Sequence, residues 1–240
     1  MKEDLAFKCE TDDSALWQTR AAAWELLALS FRYPDDVLAS AISLGEWADA
    51  ALEIASALEC ELPETFEQDI CFVHTEDAQV LLHKLRAEAT RLFVGAPDPV
   101  CSPYEGVWRA ADDGVQALLF VNTHSMDVER FCKSCGLGRP EGTNEPLDYI
   151  ATECELLEHL ALSVFMDSTE KLSISENLSS GSQDDAYFRF LKEHALTWMP
   201  RFAKAVIKET QQPFYRATAM FLQSVANSAL DTSTLLQFNS

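Results

Sequence analysis

Apolar residues recur along most of this chain at steps of three and four, the spacing that puts side chains on one face of an α-helix. Trp17, Ala21, Trp24, Ala28 and Phe31 form the first stripe. Pro34 closes it, because the residue before a proline is pushed out of the α region. A second helix is predicted from Asp35 to about Glu59, with Val37, Leu38, Ala41, Leu44, Ala48, Leu52 and Ala55 facing inward. Leu81, Leu82, Leu85, Ala89, Leu92 and Phe93 mark another from Glu76 to Val94, stopped by Gly95, Pro97 and Pro99.

The proline-rich stretch that follows reads as an ordered connector. A helix from about Asp112 to Cys135 is next, and then one beginning near Pro146. Proline suits a first helical turn, and Asp148 there complements the positive end of the macrodipole. This helix turns Leu147, Ile150, Ala151, Cys154, Leu157, Ala161 and Val164 inward. Residues 167–185 carry six serines and little apolar content, which predicts a flexible loop. Phe188, Leu191, Ala195, Trp198, Phe202, Ala205 and Val206 mark a further helix with Pro200 inside it, where a proline kinks the chain. Phe214, Ala217, Phe221, Leu222 and Val225 mark the last. No run alternates well enough for a strand. The expectation is an all-α protein, one helical bundle of roughly eight to ten helices. Its single domain spans 1–240, with an N-terminal half at 14–95, a connector at 96–110 and a C-terminal half at 111–230.

Composition sharpens this picture. Hydrophobic residues make up 48% of the chain, which excludes a disordered protein, and eight glycines are too few for a turn-rich β fold. The formal net charge of −21 argues against nucleic acid and anionic membranes, both of which need Lys and Arg. A basic peptide or protein patch is the natural counterpart of such a field. The acidic N-terminal stretch is not a secretory signal, and no apolar run is long enough to cross a bilayer. Seven cysteines, an odd number, fit a reducing compartment. The chain is expected in the cytoplasm, as a monomer or homodimer.

Little in the sequence calls for catalysis, a metal or another cofactor. Cys132 and Cys135 form a lone Cys-x-x-Cys without the further ligands a zinc site needs. Asp148, Thr152, Glu155 and His159 share a polar helix face, read as a solvated face or a ligand groove. A metal-dependent enzyme using Glu155, His159 and the cysteines stays open as an alternative.

Three stretches carry a resemblance. Glu88-Ala-Thr-Arg-Leu-Phe-Val-Gly95, then Ser102-Pro-Tyr-Glu-Gly-Val-Trp108, is similar to E-Y-x-R-L-F-x-G followed by P-P-x-E-S-V-Y. Glu145-Pro-Leu-Asp-Tyr-Ile-Ala-Thr-Glu-Cys-Glu-Leu156 is similar to E-P-x-D-H-I-x-x-E-L-x-F. Phe190-Leu-Lys-Glu-His194 through Trp198-Met-Pro-Arg-Phe202, then Phe214-Tyr215, is similar to F-L-x-x-H-x-x-x-W-x-P-x-F followed by F-Y. In this order they resemble the TorD/DmsD family of redox-enzyme maturation chaperones.

The resemblance implies an all-α cytoplasmic chaperone that binds the twin-arginine signal peptide of a molybdopterin-containing oxidoreductase and assists its maturation before export. An assembly factor for a mature subunit without a leader is the related alternative. Carried over residue by residue, it points to peptide binding by Pro103, Tyr104, Glu105, Trp108, Glu145, Asp148, Tyr149 and Glu153. Glu88, Phe93, His194 and Trp198 are contributing or structural. An acidic groove would take the guanidinium groups, and exposed aromatics such as Tyr104 and Trp108 the apolar part. This chain departs from the pattern twice. Tyr149 stands where the family has histidine, and tyrosine cannot become cationic near neutral pH. Gly106 stands where the family has serine, which removes a hydroxyl from the connector.

Overall fold

A computed structural model describes residues 2–73, 77–116, 122–138, 146–171 and 183–238. In chain order its helices are α1 (Lys2–Phe31), α2 (Asp36–Leu44), α3 (Glu46–Ala57), α4 (Glu64–Val73), α5 (Ala78–Ala89), α6 (Glu105–Asp112), α7 (Thr123–Ser134), α8 (Ile150–Lys171), α9 (Gln183–Phe190), α10 (Leu196–Glu209) and α11 (Pro213–Phe238). Two π-helical turns, Thr90–Val94 and Leu191–Ala195, extend α5 and join α9 to α10. The protein is all-α: among the described residues no strand forms, only an isolated antiparallel bridge between Tyr104 and Tyr149.

The stripe on α1 packs as its spacing dictates. Trp17, Ala21, Trp24, Ala28 and Phe31 are all buried, and α1 lies along α8. α11 packs on α10 on one side and α4 on the other. Edge-to-face rings run through the middle, Phe31 to Phe202 at 5.4 Å and Phe93 to Tyr215 at 5.5 Å. Buried indoles find acceptors, as they must when taken out of water. Trp24 Nε1 donates to the Tyr187 hydroxyl at 2.9 Å and Trp47 Nε1 to the Ser30 hydroxyl at 2.8 Å.

Several boundaries differ from the periodicity. The helix expected over 35–59 is broken at Gly45, whose φ of 86° is a left-handed value that favours glycine. In α2 Leu38 and Ile42 face the core while Val37 and Leu44 face solvent, and in α3 Trp47, Ala51 and Ile54 are buried while Leu52 is exposed. The connector is shorter than 96–110, because α6 starts at Glu105 inside it. The helix expected from Asp112 to Cys135 is confined to α7: α6 ends at Asp112, a turn follows, and residues 117–121 lie outside the described residues. The eighth helix starts at Ile150 and not at Pro146, which leaves Asp148 before the helix instead of in its first turn. The loop expected at 167–185 is shortened by α8, which runs to Lys171, and by α9, which begins at Gln183; the remainder lies outside the described residues. No helix among the described residues is long and apolar enough to cross a membrane.

Candidate functional site

The connector and the start of α8 meet through their backbones. The Ile150 amide donates to the Pro103 carbonyl at 2.8 Å, and the Glu105 amide to the Asp148 carbonyl at 3.0 Å. These bonds set Tyr104 against Tyr149, with ring centroids 5.5 Å apart. Pro103 is buried, whereas Tyr104, Trp108 and Tyr149 are each half-buried. Tyr149 also reaches the end of α1, its hydroxyl donating to the Phe31 carbonyl at 2.7 Å. Trp108 folds back over the connector, its Nε1 donating to the Ser102 carbonyl at 2.8 Å.

Beneath these aromatics lies a set of buried carboxylates. Asp148 is 1% exposed, and Glu105 and Glu153 are 0% exposed. Asp148 Oδ2 accepts from the Gly106 amide at 2.9 Å and from the Ser125 hydroxyl at 2.6 Å. Asn122 caps α7 through the His124 amide and donates its side-chain nitrogen to the Gly106 carbonyl. Gly106 therefore sits in a closed cradle, where a Cβ would stand 2.5 Å from Ser125 Oγ and 2.9 Å from Asp148 Oδ2. A serine does not fit there. The hydroxyl that the resemblance places at that position comes instead from Ser125 on α7.

Glu105 is held by Arg109 Nη1 at 2.8 Å and by His194 Nδ1 at 3.0 Å to its second oxygen. His194 stacks on Phe190 with centroids 4.8 Å apart. Glu153 Oε2 accepts from Trp198 Nε1 at 3.0 Å. Burial drives the Glu153 carboxyl well above the usual carboxylate range, and the negative charges of Glu105 and Asp148 drive it the same way. Burial raises Asp148 also, against the opposing bonds from Ser125 and Gly106. Crowding three buried carboxyls in one place thus favours the protonated form of Glu153. Asp148 Oδ1 and Glu153 Oε1 have no donor among the described residues.

The structure thus gathers Pro103, Tyr104, Glu105, Trp108, Asp148, Tyr149, Glu153, His194 and Trp198 around one junction. Glu105, Asp148 and Glu153 are sealed from solvent beneath it and do not line an open acidic groove. The expected polar face on α8 is also corrected: Asp148 is buried and precedes the helix, and Glu155 accepts from Arg32 Nε at 2.8 Å. Glu145 lies outside the described residues. Phe93 belongs to the aromatic core, and Glu88 latches α5 to the turn before α11, bonding Arg91 at 2.8 Å and Thr210 at 2.9 Å. Sequence reasoning missed Ser125 and Asn122, whose only signal is a cap at the start of α7. Cys132 is buried, its thiol pushed up to about 12 by burial, which removes thiolate reactivity at neutral pH. Among the described residues no group of three or more His, Cys, Asp or Glu side chains is placed to hold a metal ion.

The model of the nitrate reductase delta subunit family matches residues 45–204, a span that includes the connector, the Asp148 segment and Trp198. The chaperone protein TorD of Vibrio cholerae is 28% identical over 144 residues, 60% of this chain and 58% of that protein. The chain thus aligns with a little over half the length of those relatives. TorD of Salmonella arizonae is 25% identical over 205 residues, 85% of each chain. The crystal structure of a redox enzyme maturation protein from Archaeoglobus fulgidus overlays with a TM-score of 0.44 at 22% identity, covering 85% of this chain and 91% of that one.

Proposed function

Because this chain belongs to the nitrate reductase delta subunit family, we propose that it is a cytoplasmic, non-catalytic chaperone. It binds the twin-arginine signal peptide of a molybdopterin-containing oxidoreductase and assists that enzyme's maturation before export. The observation that carries this reading is the connector junction, where the half-buried rings of Tyr104 and Tyr149 stand 5.5 Å apart and Trp108 on the following helix is half-buried too. Rings in that state offer area to an apolar segment at small desolvation cost. The buried carboxylates below act as positioning groups for the connector backbone, and the net charge of −21 draws a cationic leader toward the protein.

The match to the nitrate reductase delta subunit family leaves room for a second reading, an assembly factor that grips the mature subunit itself. Co-purification of the protein with its full-length client and with leader-deleted client separates the two. Under the first reading the deletion abolishes co-purification; retention at the full level supports the assembly factor.

A further inference from the structure

At the far side of Tyr149 the end of α1 runs into an open apolar groove between α1, α2 and α3. It encloses about 250 Å³. Leu29, Tyr33 and Val37 line it while remaining 43%, 57% and 76% exposed, and Leu26, Leu38 and Trp47 form its floor. Large apolar side chains left this exposed cost solubility unless something covers them. Two cations stand nearby, and both are already engaged. Arg32 donates to Glu155 Oε1 through Nε at 2.8 Å, and Arg86 Nε donates to the Pro34 carbonyl at 2.9 Å with its guanidinium 5.9 Å from the Tyr33 ring. Asp35 and Glu46 also line the groove and make no ion pair among the described residues. The Asp35 side chain caps α2, accepting from the Leu38 amide at 2.9 Å, and has no other side-chain bond among the described residues. An apolar trough edged by unneutralised carboxylates complements an apolar segment with a positive charge beside it.

The junction described above touches the end of α1 from which the groove begins. The Tyr149 hydroxyl meets the Phe31 carbonyl, and Arg32, Tyr33 and Asp35 follow directly in the chain. We propose that this groove seats the apolar stretch of a cationic client peptide, with an arginine or lysine of that peptide paired to Asp35 or Glu46. The proposal rests on the chaperone reading and extends it from the connector to the α1–α3 face.

Fluorescence anisotropy tests it with a fluorescein-labelled synthetic peptide in which two adjacent arginines precede a run of leucine and alanine. The double variant Leu29→Gln/Val37→Gln changes exposed positions only, and it is expected to raise Kd by about tenfold or more. Glu46→Gln should weaken binding and flatten its dependence on salt. Val115→Gln, an equally exposed apolar position outside the groove, should leave Kd unchanged. Binding by the unmodified protein that survives the double substitution overturns the groove and leaves the chaperone reading standing. No binding by the unmodified protein overturns both. A dimer in sedimentation velocity that the double variant turns into monomer overturns it too, since a second copy would then be the occupant. Should the double variant melt early, a benzophenone-bearing peptide cross-linked to the unmodified protein decides: adducts within residues 26–50 support the groove, and adducts elsewhere contradict it.

Discussion

Asp148 and Gly106 lock the connector to the approach of α8: the Asp148 carboxylate accepts the Gly106 amide at 2.9 Å, and Gly106 has no room for a side chain. The bond explains why an aspartate that precedes a helix is 1% exposed. Its carboxylate serves the backbone of the opposite segment, not the solvent.

Putting a serine at position 106 forces its Cβ into Ser125 Oγ, a contact of 2.5 Å that cannot stand. Gly106→Ser should therefore cost about 1–3 kcal/mol, as overpacking of a closed site does. Ser125→Ala alone removes a bond to a buried carboxylate and should also destabilise. The double variant should lose less than the two singles together, because the new hydroxyl can replace the one removed. Urea melts of the four proteins measure this coupling; simple additivity would contradict the cradle.

Glu153 is raised well above the ordinary carboxylate value, first by burial and then by Glu105 and Asp148. A raised folded value means the native state holds the proton longer than the unfolded chain, which titrates near about 4.3. Stability contributed by this group therefore falls as pH climbs from that value through the folded one. Glu153→Gln cannot ionise, so it should match the parent near pH 4 and gain on it as pH climbs toward the raised folded value. Thermal melts across that range check the sign, and a constant difference would contradict the assignment.

Glu88 behaves in the opposite sense. Burial pushes its carboxyl up, but bonds from Arg91, Gln211 and Thr210 outweigh that and hold it below the usual range. Its stabilisation is present above the unfolded value of about 4.3 and is lost as pH falls through the lowered folded value. Glu88→Gln should be less stable than the parent at pH 7, with the gap closing in acid.

Tyr149→Phe removes the hydroxyl that satisfies the Phe31 carbonyl and should cost about 1 kcal/mol of stability. The ring remains against Tyr104, so peptide affinity should change by less than about twofold, whereas Tyr149→Ala should weaken binding by about tenfold. Equal losses in both variants would mean that the client uses the hydroxyl.

The helical fold was legible because apolar side chains on α1, α5 and α10 sit in phase with the helix and point at one core. Phase was lost where the chain changes direction without an obvious signal. Gly45 in a left-handed conformation split one expected helix into α2 and α3, and counting the α8 face from Pro146 instead of Ile150 put Asp148 on a solvated face it does not occupy. Glu105, Glu153 and His194 could be picked only by their place in motifs, since periodicity treats a buried carboxylate or imidazole as a surface residue. Ser125 and Asn122 reach Asp148 and Gly106 across gaps in sequence that no local pattern spans.

The central claim is recognition of a twin-arginine leader, and calorimetric titration with the leader peptide of the client oxidoreductase tests it most directly. The account predicts saturable one-to-one binding that weakens as salt is raised and is lost when both arginines become alanine. Equal affinity for the arginine-free peptide, or no heat of binding with any leader while the leader-deleted enzyme still binds, would contradict it.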